Sequence, residues 1–516
     1  MSVMPEKNSS KLGRILSDPG RFCLTFELVP SRGGRSKAHS LALDFARRLA
    51  ADGRIQAVSI TENAGGHAAL SPEVLGKEIR DMGLDVIVHF SCKDKNRNQM
   101  ESLLFAWDRI GLHNLLVITG DYPKEGYRGV PKPVFDLGSV HALDLISRMN
   151  QGIFWSKAEK THASPPKPTS FLKGVAVSPF KHLESELMMQ YFKLHRKLAA
   201  GADYVITQVG FDARKFHELL LYIRRHDLNI PMLGNVFVPN MVVAGLMHRG
   251  EIPGCVIPDA LYAIMQQEAA SPDKGKKARL IRAAKLLAVL KGMGYSGAHI
   301  GGPGLSYDDM DFLLTSSEHY APQWRELIGD ISFGHPEGFY YFEKDAASGL
   351  NLPIPTVRSS AIQGKQIGFI LACHMHQLFF NEQGLFFSSL KSACLTLEES
   401  RLAHSLDRFE HLIKFLGFGC RNCGDCTLAE LAFLCPQAGC AKYLLNGPCG
   451  GSCDGWCEVY PGKRRCFFVR VYERLKSVKL EDGMAKGFVP PRNWALNQTS
   501  SWVNFFERRD HTGADK

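Results

Sequence analysis

The run Leu115-Leu116-Val117-Ile118-Thr119-Gly120-Asp121-Tyr122-Pro123 sets five apolar or β-branched residues ahead of a Gly-Asp pair and a proline. Such a run predicts a strand buried on both faces, the condition of a parallel sheet. Glycine and proline stop it, leaving Asp121 at the C-terminal end, where α/β folds bind their ligands. Taken singly, the run is equally a plain buried strand ending in a solvated turn aspartate. The weight therefore rests on repetition.

The pattern repeats. Phe22–Pro30, Ala57–Thr61, Asp85–Phe90, Phe171–Val177, Tyr204–Gln208, Pro231–Val238 and Gly297–Gly302 read as further strands. Stretches of helical spacing lie between them, as in Leu41, Phe45, Leu49 or Leu187, Tyr191, Leu194, Leu198. Eight alternations predict an α/β fold, a (β/α)8 TIM barrel over residues 21–320. An open doubly wound sheet would announce a nucleotide with G-x-G-x-x-G after a strand, and no such match stands here. Residues 1–20 read as a flexible N-terminus, and 151–170, with Pro165, Pro166 and Pro168, as a surface insertion. Residues 321–364 form a linker. A small cysteine-rich helical domain follows over 365–480, with a helical pair in 365–414 and a strand at Cys466–Tyr472, and then a polar tail over 481–516.

A chain of 516 residues is too long for one core. It has no apolar run long enough to span a bilayer and no signal-peptide core near Met1, so a cytoplasmic protein without a membrane partner is expected. The net charge of +10 attracts phosphates or an acidic partner but does not call for nucleic acid. Of fourteen cysteines, nine fall between Cys420 and Cys466. In a cytoplasmic protein that block points to metal rather than disulfides.

The polar residues at the strand ends are Glu27, Thr61, His89, Asp121, Ser178, Gln208, Asn235 and His299. On a barrel that rim builds the active site. Thr25-Phe26-Glu27-Leu28-Val29-Pro30, Ser59-Ile60-Thr61, His89-Phe90-Ser91-Cys92, Thr119-Gly120-Asp121 and Ile206-Thr207-Gln208-Val209-Gly210-Phe211-Asp212 together resemble methylenetetrahydrofolate reductases. The resemblance implies a barrel that holds FAD without a glycine fingerprint. It implies Glu27 as general acid for opening the five-membered ring of methylenetetrahydrofolate, which needs a carboxyl raised by desolvation among Phe26, Leu28 and Val29. Asp121 would face flavin and pterin, and Gln208 the folate. Thr61, His89, Ile118, Thr119 and Gly120 match flavin contacts. Ala176, Ser178, His182, Lys193, Arg196 and Lys197 match the FAD ribose and diphosphate region. Thr119 stands where simpler members carry Arg, and Ser178 where they carry Tyr; both departures bear on direct use of NAD(P)H.

The cysteine spacing is Cys420-x2-Cys423-x2-Cys426-x8-Cys435-x4-Cys440-x8-Cys449-x3-Cys453-x3-Cys457-x8-Cys466. Three cysteines two apart and a later Cys-Pro suit [4Fe–4S] clusters, with zinc as the rival. The block is similar to the cysteine-rich partner of acetogen-type methylenetetrahydrofolate reductases, here fused behind the barrel. That likeness implies Cys420, Cys423, Cys426, Cys435, Cys440, Cys449, Cys457 and Cys466 as ligands, with Cys453 additional.

The function expected is flavin-dependent reduction of 5,10-methylenetetrahydrofolate to 5-methyltetrahydrofolate, or the reverse. Electrons would come from NAD(P)H or, through the clusters, from a ferredoxin or flavoprotein; a homo-oligomer is compatible with the sequence. The alternatives are a zinc-dependent folate- or corrinoid-type methyltransferase, disfavoured because the cysteines lie outside the barrel strand ends, and a non-enzymatic zinc-ribbon binding protein.

Overall fold

The computed structural model describes residues 10–153, 166–358 and 366–513. Its first part is the closed parallel barrel expected from the sequence. β1 (Cys23–Leu28), β2 (Ala57–Ile60), β3 (Asp85–Ser91), β4 (Asn114–Ile118), β5 (Leu172–Val177), β6 (Tyr204–Thr207), β7 (Met232–Phe237) and β8 (Gly297–Gly301) follow one another in chain order. β8 pairs back onto β1, from Cys23 opposite Gly297 to Phe26 opposite Ile300. The β-branched residues that favour strands also fill the layer beneath the helices: Val58, Val86, Val88, Val117, Val175, Val205 and Val236 are all buried in that outer core.

Strand side chains alternate outward and inward. The inward set Cys23, Ala57, Ile87, Leu116, Tyr204, Ile206 and Leu233 packs with Leu12, Ile15 and Leu16 into a separate cluster that floors the barrel. Those last three lie on the helix Lys11–Leu16, where Ser10 Oγ accepts from the Gly13 N–H at 3.0 Å. Leu12 N–H donates to Asp85 Oδ2 at the foot of β3 at 2.7 Å. The N-terminus expected to be flexible is therefore ordered from Ser10, because burying three large apolar side chains outweighs ordering one short helix.

The later chain departs from expectation in several places. Of the insertion expected over 151–170, residues 154–165 lie outside the described residues, as do 359–365 at the end of the linker. The linker carries an antiparallel pair, Phe342–Lys344 with Asn351–Pro355, clasped by Arg214 through Phe342 O (2.9 Å) and Asn351 Oδ1 (2.7 Å). Three helices stand where a pair was expected: Ile367–Phe379, Phe387–Glu398 and Ala403–Phe418.

The strand expected at Cys466–Tyr472 is instead the first part of a helix, Phe467–Lys476. Phe468, Val471 and Tyr472 bury one face at helical spacing, which overrides their local preference for strand. This helix lies on the barrel helix Glu184–Ala199, where Tyr472 Oη (2.6 Å) and Lys476 Nζ (2.5 Å) both donate to Glu184 Oε1. The tail is docked rather than solvated: Met484, Val489, Val503 and Phe506 are buried, and Arg97 Nη2 of the barrel donates to Arg492 O at 2.9 Å. Among the described residues no helix is long and apolar enough to cross a membrane.

Candidate active site

Above its floor the barrel opens, at the C-terminal ends of its strands, into a cavity of about 300 Å3. Glu27, Thr61, His89, Ile118, Thr119, Gly120, Asp121, Ala176, Ser178, Lys197 and Gln208 all line it. Gly120 has φ +84°, and a Cβ there would stand 2.1 Å from Ser91 Oγ, so the turn that presents Asp121 requires glycine. Four buried polar atoms of cavity-lining residues have neither a hydrogen bond nor an ion pair: Thr61 Oγ1, Ser178 Oγ, Gln190 Nε2 and Asn235 Oδ1. Leaving such an atom unpaired costs about 1–3 kcal/mol, so four around one cavity point to a polar ligand.

A hydrogen-bonded system lies at the base of the cavity. Thr25 Oγ1 and His299 Nδ1 are 2.7 Å apart, and His299 Nε2 stands 3.7 Å from Glu27 Oε2. Ser59 Oγ and His89 Nε2 are 2.8 Å apart. Burial pushes the Glu27 carboxyl up, but the nearby imidazoles, His299 foremost and then His89, outweigh it, and the group is held below its ordinary value. Burial holds His89 down to about 4, so it is neutral near pH 7. The raised Glu27 carboxyl expected from its apolar neighbours is thus overturned. Phe26 belongs to the outer core and Val29 is 61% exposed, so neither walls in Glu27. On the opposite side Asp121 Oδ2 accepts from Gly65 N–H at 2.9 Å, and Gln208 Oε1 from Val209 N–H at 2.9 Å.

Three of the residues matched to the FAD ribose and diphosphate do not reach this cavity. Lys193 Nζ donates to Pro448 O at 2.7 Å, and Arg196 Nη2 to Lys486 O at 3.0 Å, both main-chain oxygens of the C-terminal region. His182 lies in a neighbouring crevice, 3.2 Å from Asp454 Oδ1 and stacked near His335. Lys197 does line the cavity, and its Nζ donates to Ala176 O at 2.5 Å. The docked C-terminal segment covers the helix face that was expected to be open.

That same segment supplies part of the cavity wall. Lys442, Pro448, Cys449, Gly450, Gly451 and Glu458 line it with the barrel residues. Lys442 Nζ donates to Gly120 O at 2.7 Å and pairs with Glu458. The cysteines therefore do not all lie away from the strand ends, as expected. They separate into two quartets: Cys420, Cys423, Cys426 and Cys435 surround one small cavity, and Cys440, Cys449, Cys457 and Cys466 neighbour one another beside the barrel mouth. Cys453 belongs to neither and contacts Asp454. Burial, with Glu458 adding, pushes the Cys449 thiol up to about 12. Among the described residues, the group of three potential ligands whose donor atoms lie within 4.8 Å of one another is Asp425, Asp510 and His511, and it contains no cysteine. A zinc tetrahedron with bonds of about 2.3 Å holds its sulfurs about 3.8 Å apart. No three cysteine sulfurs among the described residues lie within 4.8 Å of one another.

Of the functional positions that the sequence left out of the site, His299 and Asn235 were visible as strand-end polar residues, and Thr25 and Ser59 as inward positions two residues before Glu27 and Thr61. Lys442 and Glu458 carried no signal beyond membership of the cysteine block.

The family described as "Methylenetetrahydrofolate reductase" matches residues 11–300, and the one described as "Methylene-tetrahydrofolate reductase C terminal" matches residues 401–495. Among curated proteins, "Methylenetetrahydrofolate reductase 2" of Saccharomyces cerevisiae is 25% identical over 203 residues, 38% of this chain and 30% of that one. "Methylenetetrahydrofolate reductase 1" of Schizosaccharomyces pombe is 23% identical over 247 residues, 47% and 38% of the two chains. The "5,10-methylenetetrahydrofolate reductase" of Pectobacterium carotovorum is 25% identical over 219 residues, 42% and 64%. The match spans less than two thirds of each of these relatives. With more than half of its length matched by the reductase family, and with a strand-end cavity presenting Glu27, Asp121 and Gln208, the chain belongs to the methylenetetrahydrofolate reductase family.

Proposed function

We propose that this chain interconverts 5,10-methylenetetrahydrofolate and 5-methyltetrahydrofolate at the barrel mouth, using a flavin and electrons that arrive through the C-terminal cysteines. The observation that carries the proposal is the convergence of four unpartnered buried polar atoms on one cavity that also holds Glu27, Asp121 and Gln208. A heteroaromatic ring system with several donors and acceptors fits that demand. The fit is at the ring end: Thr61, His89, Ile118, Thr119, Gly120, Ala176 and Ser178 are the residues that would hold it. Lys193 and Arg196 do not fit a diphosphate in this cavity, because neither lines it and both are turned onto main-chain oxygens of the C-terminal region.

A bound flavin supplies the hydride that turns the substrate's methylene carbon into a methyl group. The chain's own part is to bind, orient and move a proton. Gln208 offers an amide donor and acceptor to the folate. Asp121 presents a fixed negative charge between the two partners. Because Glu27 is held ionised beside His299, the proton that the folate nitrogen takes up would pass through the Glu27–His299 pair and not come from an isolated carboxylic acid. Thr25 fixes the imidazole that completes the pair.

Two separate cysteine quartets suit two [4Fe–4S] clusters, and such clusters would supply one-electron steps. Cys449 lines the flavin cavity, which favours delivery through the second quartet over direct use of NAD(P)H. A ferredoxin or flavoprotein partner is the matching donor. The reading is tested by assaying anaerobically purified, iron-replete protein for 5-methyltetrahydrofolate formation with reduced ferredoxin, reduced viologen and NADH in turn. Turnover with the one-electron donors and little with NADH is expected. A colourless protein that contains only zinc and turns over with none of them would rule the proposal out.

A further inference from the structure

The charge balance of the cavity wall depends on the C-terminal domain. Asp121 follows β4, and the carbonyl of its neighbour Gly120 accepts from Lys442 Nζ at 2.7 Å. Lys442 comes from the segment between Cys440 and Cys449, is 3% exposed, and also pairs with Glu458, whose carboxylate lines the same cavity. Two carboxylates and one ammonium thus meet at one wall, and the ammonium reaches it from outside the barrel.

In a barrel bearing Asp121 alone, a fixed negative charge disfavours the anionic reduced flavin and holds its reduction potential down. We propose that Lys442 is a positioning residue of the redox site: it sets a fixed positive charge beside Asp121 that offsets the carboxylates of this wall and makes the reduced flavin easier to form. The proposal rests on the flavin reading above. It places Glu458 as a moderator, holding Lys442 in place while cancelling part of its field. Unit charges a few ångströms apart at low exposure are strong enough to change an equilibrium tenfold or more. The domain that carries the cysteine quartets would then also tune the group that takes their electrons, and neither the barrel nor the cysteine block would have that property alone.

The experiment measures the flavin midpoint potential by equilibration with reference dyes, on the anaerobically purified, iron-replete full chain. In Lys442→Gln the preference of the site for reduced over oxidised flavin falls by about tenfold, which is about 30 mV toward negative for a two-electron couple. Glu458→Gln moves the potential in the opposite direction, and Lys442→Arg stays near the parent value. Iron, sulfide and flavin contents are measured on each variant. If Lys442→Gln loses its metal, Glu458→Gln decides, and a positive shift supports the proposal. Unmoved potentials, or shifts of the same sign in both variants, overturn it. A parent protein that binds no flavin overturns the functional reading itself, and this shows before any variant is made.

Discussion

At the scale of single residues, the arrangement around Glu27 changes what that residue is asked to do. A carboxylic acid kept neutral by an apolar pocket would donate its own proton; a carboxylate held ionised beside His299 must first receive one. Glu27→Gln keeps the size and removes the charge, so folate turnover is expected to fall by about 100-fold or more while flavin content is unchanged. The same shift has a stability consequence. A carboxyl whose folded value lies below its unfolded value of about 4.3 adds stability that is complete above that value. The contribution is lost as pH falls through the lower folded value. Thermal melts between about pH 6 and pH 3 should therefore show the parent losing its advantage over Glu27→Gln on acidification; parallel curves would contradict the pairing. Glu27, Asp121 and Gln208 were legible in the sequence because a strand fixes which of its residues faces the barrel mouth. Lys442 was not, because cysteine spacing says what a segment can ligate and nothing about the surface against which it docks.

At the scale of elements, the parallel strands were legible almost to their ends, since burial on both faces leaves continuous apolar runs. Errors gathered where tertiary contact overrides local preference. Phe467, Phe468, Val469 and Val471 are locally strand-like, yet they form a helix because one face of it rests on Glu184–Ala199. The polar residues of the tail gave no hint of docking, since a few buried anchors such as Val489 and Phe506 hold it. The helix Lys11–Leu16 is the case with the simplest test. Leu12 is fully buried in the barrel floor, so Leu12→Ala should cost about 2–5 kcal/mol in denaturant unfolding. A cost near that of a surface substitution would show that the helix does not plug the barrel in solution.

At the scale of the whole molecule, the two parts of the chain make one site. The barrel supplies the Glu27–His299 pair and the polar rim, and the C-terminal domain supplies a wall, a cation and Cys449 at that wall. Docking is fixed by Tyr472 and Lys476 on Glu184, by Lys193 on Pro448 and by Arg97 on Arg492. The central claim is that a flavin and a folate meet in this cavity. It is tested most directly by adding 5-methyltetrahydrofolate anaerobically to the purified protein, without any other donor, and following the visible spectrum. The account predicts that the oxidised flavin band bleaches in the parent, and much more slowly in Glu27→Gln. A flavin band that persists at saturating 5-methyltetrahydrofolate in the parent would contradict it.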